Sequence, residues 1–203
     1  KLLDFGRGER ILTLDELFSL MPPKKLINLE LKKETLSSED LEKISNFTEK
    51  HGRKENVLIS SFNWDFIALI KKMGFKTAFL VGDEHRKGGV IGLIKSALRI
   101  RPDFINLPIS VFKEIGGFKA LILLWTLRLC GFGLAFWTVN EESEYNSIKR
   151  FSDVIITNEV EKLLKLRGNP NTCLTKLLLS INFGRSIILS CCIILLLLLV
   201  KWR

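Results

Sequence analysis

Two hydrophobic rhythms take turns along this chain. Short apolar runs occur at 26–31, 57–62, 77–81, 104–108, 134–139 and 154–157. Each is followed by a longer stretch whose apolar positions recur at helical spacing, at 37–51, 64–73, 90–100, 111–129, 141–151 and 160–166. Continuous apolar strands imply a sheet buried on both faces, and strict alternation with helices implies parallel strands joined by crossovers. The pattern predicts six βα units preceded by a short helix at 14–20. Thr13 caps that helix, which stops before Pro22-Pro23. Ser37 and Asp40 open the next helix, while Gly52, Gly74 and Pro102 mark later stops. The stretch 111–129 reads as one unusually apolar helix, and the acids at 141–144 favour a helix start.

The first strand breaks the pattern. Leu29 and Leu31 project to one side, while Asn28, Glu30 and Lys32 project to the other, since side chains alternate faces. Glu30 and Lys32 are then neighbours about 6.6 Å apart. Two readings follow: a solvated edge strand, or a carboxylate and an ammonium placed together to hold a metal and an anion. Further polar residues gather at strand ends: Ser60, Ser61, Asn140, Thr157 and Asn158. Each alone could serve as a cap or turn residue. Together they favour one shared pocket, because sites of parallel α/β barrels lie at the C-terminal ends of the strands.

Six units fit either an open doubly wound sheet or six-eighths of a (β/α)8 barrel. No G-x-G-x-x-G follows a strand and no P-loop is present, so the usual phosphate device of nucleotide-binding sheets is missing. The 203 residues suffice for one sizeable core. The net charge of +9 includes +4 from Lys176, Arg185, Lys201 and Arg203, with no acid in 168–203. What remains is a mildly basic domain without an arginine-rich arm, which argues against nucleic acid. Cys130, Cys173, Cys191 and Cys192 show no C-x-x-C spacing and lie far from His51 and His85, so no zinc site is expected. His51 closes a surface helix and is expected to be solvated.

The strands resemble a known family. Leu26-Ile27-Asn28-Leu29-Glu30-Leu31-Lys32, Val57-Leu58-Ile59-Ser60-Ser61-Phe62, Gly133-Leu134-Ala135-Phe136-Trp137-Thr138-Val139-Asn140 and Asp153-Val154-Ile155-Ile156-Thr157-Asn158 look like successive strand motifs of glycerophosphodiester phosphodiesterases. The lead-in Gly8-Glu9-Arg10-Ile11-Leu12-Thr13-Leu14-Asp15-Glu16-Leu17 resembles the segment before that family's third strand. The resemblance covers residues 1–167, in order. It implies an α/β fold of the TIM (β/α)8 type, incomplete here, and hydrolysis of a glycerophosphodiester to an alcohol and glycerol 3-phosphate. It also implies a divalent cation, Mg²⁺ or Ca²⁺, with Glu30 matching a metal carboxylate and Lys32 a lysine beside the phosphate. Trp137 matches a tryptophan of the seventh strand, placed to line the substrate pocket or fill the core. The implied partners are a glycerophosphodiester or lysophospholipid substrate.

The departures concern the chemistry. The family's His-Arg-Gly, Glu-x-Asp and His-Asp motifs do not occur, so no catalytic residue is assigned. His85-Arg86 lies after the third strand counted here and cannot replace the first-strand histidine. Leu12, Asn158 and Val160 stand where the family has Pro, Asp and Pro. With Lys1 in place of an initiator Met, the chain reads as the C-terminal six units of a longer enzyme, with unpaired edges at its first and last strands and no phosphodiesterase activity of its own. The alternatives are a noncatalytic phosphate-ligand-binding relic and a phospholipase of sphingomyelinase D type.

Residues 168–203 read as a linker and hydrophobic tail. The uninterrupted apolar part, 186–200, would span about 22 Å as a helix against roughly 30 Å of hydrocarbon, and extending it to 181 includes Arg185. Its Leu, Ile and Val residues contribute about −3 to −7 kcal/mol, more than a snorkelling Arg costs. The expectation is a tail anchor over 181–200, with the domain membrane-associated on the cytoplasmic side.

Overall fold

In a computed structural model of the protein, residues 12–32 and 37–166 are described; the tail lies outside them. A short helix, α1 (Leu14–Leu20), leads into six parallel strands in the order β1 (Ile27–Leu31), β2 (Val57–Ser61), β3 (Lys76–Leu80), β4 (Phe104–Pro108), β5 (Gly133–Trp137) and β6 (Val154–Ile155). Between and after them run α2 (Ser38–Lys50), α3 (Trp64–Lys72), α4 (Gly89–Ile100), α5 (Val111–Ile115), α6 (Gly117–Leu129), α7 (Glu142–Ile148) and α8 (Val160–Leu166). Strand order equals chain order, as in a barrel. Among the described residues β1 pairs only with β2 and β6 only with β5, so both edges of the curled sheet are open.

The register divides the sheet into two faces. Ile27, Leu31, Val57, Ile59, Phe79, Ile105, Leu107, Leu134 and Phe136 point one way and pack with Ile67, Ile70, Leu93, Ile94, Leu124 and Leu127 of the helices. The opposite face carries Glu30, Ser60, Ala78 and Phe104 across one level, and Leu80, Asn106 and Ala135 across the next. Leu58, Ala78, Leu80 and Ala135 are buried on this concave side yet stand apart from the helix-packed core.

At the N-terminal rim, three charged residues, each shortly before a strand, pin that strand to an earlier element. Arg53, 6% exposed, precedes β2. Its guanidinium donates to the carbonyls of Phe18 (2.9 Å), Met21 and Pro22 (3.1 Å), gathering acceptors where α1 ends. Asp103 precedes β4 and accepts from Lys71 Nζ through both oxygens at 2.7 Å, and from the backbone N–H of Thr77 at 2.8 Å. Asp153 precedes β6 and accepts from Arg128 at 2.6 and 2.9 Å and from the N–H of Leu134 at 2.8 Å. The second and third pins repeat one design: a basic residue from the helix before the first strand, and a backbone N–H from that strand.

The helix caps agree with the sequence. Thr13 with Glu16, and Ser37 with Asp40, form reciprocal capping boxes. The Ser37 backbone N–H, and next its hydroxyl, hold the Asp40 carboxyl below the usual aspartate range. Lys54, by its hydrogen bond, does the same for Glu49. Two expectations are corrected. The helix at 111–129 is two helices, because Gly116 adopts φ +82°, a conformation that turns the chain and that side chains with a Cβ avoid. His51 is not solvated: its side chain is 24% exposed, Nε2 lies 3.0 Å from Asp15 Oδ1, and its ring packs on Phe18 and Phe47.

Candidate active site at the C-terminal strand ends

Glu30 is the penultimate residue of β1 and Lys32 follows the strand. As alternation requires, both project to the concave side, and they join in an ion pair at 2.6 Å. Their side chains are 37% and 73% exposed, so the pair faces solvent at an open edge. The edge is exposed, as the first reading has it, and the carboxylate and ammonium sit together, a geometry that the second also requires.

The level occupied by Glu30 continues into Ser60, its register partner on β2. Ser60 is fully buried and its hydroxyl has no hydrogen-bond partner among the described residues. One level nearer the mouth, Asn106 is 1% exposed, and neither atom of its side-chain amide is bonded. A buried amide without partners costs on the order of 1–3 kcal/mol, so its presence on the concave face calls for a reason other than stability.

Above Asn106 an aromatic bridge crosses the mouth. Phe62, just past β2, meets the Trp137 ring edge-to-face with centroids 5.9 Å apart. Trp137 is half-buried and donates its indole N–H to the backbone carbonyl of Asn106 at 3.2 Å. The Trp137–Thr138 peptide bond is cis. Phe62 can lie this low because residue 82 is glycine: a Cβ there would stand 2.8 Å from the Phe62 ring and 2.6 Å from Glu84 Oε2. Behind the bridge, the His85 ring stacks on Trp64, which stacks on Phe79. His85 Nδ1 accepts from the N–H of Gly82 (3.1 Å), so its proton is on Nε2, which donates to the Phe62 carbonyl (3.0 Å). His85 thus clasps two loops. It borders a pocket of about 370 Å³ with Phe62, Asn63, Trp64, Asp65, Glu84 and Arg99, and none of Glu30, Lys32 or Trp137 lines it.

The remaining polar strand ends do not form one shared pocket. Asn140 Oδ1 accepts from Thr157 Oγ1 (3.3 Å) and the N–H of Asn158 (3.0 Å), which ties β5 to β6. Ser61 Oγ donates to the Leu31 carbonyl (2.8 Å), which ties β2 to β1. These joints sit at opposite ends of the strand order, and their polar atoms are consumed locally. Asn106, Phe62 and Gly82 went unnoticed in the sequence. For Asn106 the signal was present: between Ile105 and Leu107 it breaks an apolar strand on the same face as Glu30.

The residues described here do not by themselves fit a divalent cation. A hard cation takes six or more oxygens, drawn from carboxylates, carbonyls, waters and substrate phosphate. Glu30 is already paired with Lys32, and among the described residues no group of three His, Cys, Asp or Glu is arranged to hold a metal.

A six-stranded parallel sheet, strands in chain order and curled with the helices on its outer side, is an incomplete (β/α)8 barrel. No family model matches the chain. It is 30% identical over 165 residues to a glycerophosphodiester phosphodiesterase of Caldanaerobacter subterraneus subsp. tengcongensis, a match covering 78% of this chain and 63% of that protein. The crystal structure of the Thermotoga maritima glycerophosphodiester phosphodiesterase superimposes with a TM-score of 0.67 at 30% identity, covering 78% of this chain and 65% of that one. A glycerophosphoryl diester phosphodiesterase structure from Agrobacterium tumefaciens gives 0.69 at 18% identity and supports the fold alone. The chain is related to the glycerophosphodiester phosphodiesterases and has their fold over six strands. It spans just under two thirds of the length of the first two relatives.

Proposed function

We propose that the concave face of this chain receives the phosphate of a glycerophosphodiester, with Lys32 balancing its charge and Trp137 walling the mouth. The observation that carries this reading is the Glu30–Lys32 pair, 2.6 Å apart at the C-terminal end of β1 and open to solvent. An exposed lysine can exchange a carboxylate for a phosphate oxygen with little desolvation. Glu30, released from the pair, is then the one carboxylate at this strand end that matches the cation site, Mg²⁺ or Ca²⁺, implied by the family resemblance. The family's His-Arg-Gly, Glu-x-Asp and His-Asp motifs do not occur in the sequence, which supports a chain that binds without hydrolysing. A water-soluble diester and a lysophospholipid are both compatible with this mouth. The apolar segment 181–200, outside the described residues, is proposed from its sequence alone as a membrane anchor.

The test is titration with glycerol 3-phosphate and with inorganic phosphate, monitored by NMR. Lys32→Ala should weaken both by about tenfold or more; binding unchanged by that substitution sinks the reading. In parallel, glycerophosphocholine with Mg²⁺ or Ca²⁺ should release no choline, and metal-dependent turnover by the chain would refute its assignment as inactive.

A further inference from the structure

The helix α6 carries apolar side chains on its outer as well as its inner side, with Lys119 and Arg128 on its flanks. Ala120, Leu123, Leu124 and Leu127 face the protein interior. Phe118, Leu121, Trp125 and Leu129 turn outward, with exposures of 77, 40, 45 and 47%. Spacings of three, four and four residues set these side chains in one stripe. The helix of the preceding unit, α4, adds Ile91 and Leu98, about 40% exposed, among the exposed cations Lys87, Lys95, Arg99 and Arg101. Arg101 joins the two helix ends, with its guanidinium over the Phe132 ring at 5.3 Å and a 3.5 Å bond to the Cys130 carbonyl.

Charge selects what covers this face. Segments 85–102 and 115–140 contain no Asp or Glu. Between them the acids are Asp103, neutralised by Lys71, and Glu114, which accepts from Ser110. A second copy would set this cationic face against itself. Residues 168–203 carry four cations and no acid, so they offer no charge complement either. An anionic bilayer supplies both partners, hydrocarbon for the aromatic and leucine stripe and negative headgroups for the lysines and arginines. We propose that the α4–α6 face docks on an anionic lipid surface, independently of the phosphate reading above. The sheet's concave mouth, on the other side from the helices, stays free.

The experiment is cosedimentation of the full 203-residue chain with phosphatidylcholine vesicles, with and without phosphatidylglycerol. Binding is expected with phosphatidylglycerol, falling about tenfold or more without it or at high salt. The double variant Phe118→Ser/Trp125→Ser should lose about tenfold or more of its binding while keeping the parent circular dichroism. Should that variant not fold, Lys87→Glu/Lys95→Glu leaves the stripe intact and should abolish the preference for phosphatidylglycerol. Equal binding by the parent and the folded variants overturns the proposal and assigns attachment to the tail. Equal binding to both vesicle types overturns it, as does no binding to either. Self-association lost with Phe118→Ser/Trp125→Ser, without vesicle binding, overturns it in favour of a second copy.

Discussion

The two rims of this sheet use polar chemistry in opposite ways. At the N-terminal rim Arg53, Asp103 and Asp153 each stand before a strand, and each satisfies several backbone or ionic partners at once. At the C-terminal rim the joints at Ser61 and Asn140 lie toward the two sides. Between them Ser60 and Asn106 are buried without partners, and Glu30 with Lys32 is left in solvent. One rim holds the sheet together. The other tolerates an energetic cost, as expected where a ligand is to be met.

The contrast can be broken from its strong side first. Arg53→Ala removes the guanidinium from the carbonyls of Phe18, Met21 and Pro22, the last of which keeps the N–H of Lys25, at a 6% exposed position, and should cost about 3 kcal/mol in urea unfolding. Asp103→Ala strands the Lys71 ammonium and the N–H of the buried Thr77, with a loss of about 2 kcal/mol by the same measurement. The C-terminal rim should respond with the opposite sign. Asn106→Leu removes an unpaired amide while keeping the count and branching of side-chain heavy atoms, and should raise stability by about 1 kcal/mol; a clear loss here and with the smaller Asn106→Val would show that the amide is satisfied. The smallest effect lies outside both rims and serves as a control. Because Asp40 titrates below the ordinary value of about 3.8, its capping contribution is complete above that pH and fades as pH falls through the lowered folded value. Asp40→Asn should flatten the thermal-stability profile there while leaving the response to the rim substitutions unchanged.

Much of this was legible because strands and helices differ in period. The bounds of α1, β4 and α8 coincide with the hydrophobic pattern, and the capping boxes at Thr13 and Ser37 were written in their residue types. The division of 111–129 was hidden, because a glycine within an apolar run reads as helix until its φ is known. The placement of Glu30 beside Lys32 followed from alternation alone. The pins did not, since Asp103 and Asp153 find Lys71 and Arg128 at sequence separations of 32 and 25. A charged residue before a strand announces no partner. The same holds for His51, whose contacts with Asp15 and Phe18 depend on how α1 folds back onto α2.

Gly82 has a consequence for the width of the mouth. Its backbone is ordinary, and what the position requires is the missing methyl group that lets Phe62 rest against Trp137. A larger residue at 82 would have to push aside both the Glu84 carboxylate and the Phe62 ring. The carboxylate can swing away but the ring is held against Trp137, so the size of residue 82 sets how far the mouth can close.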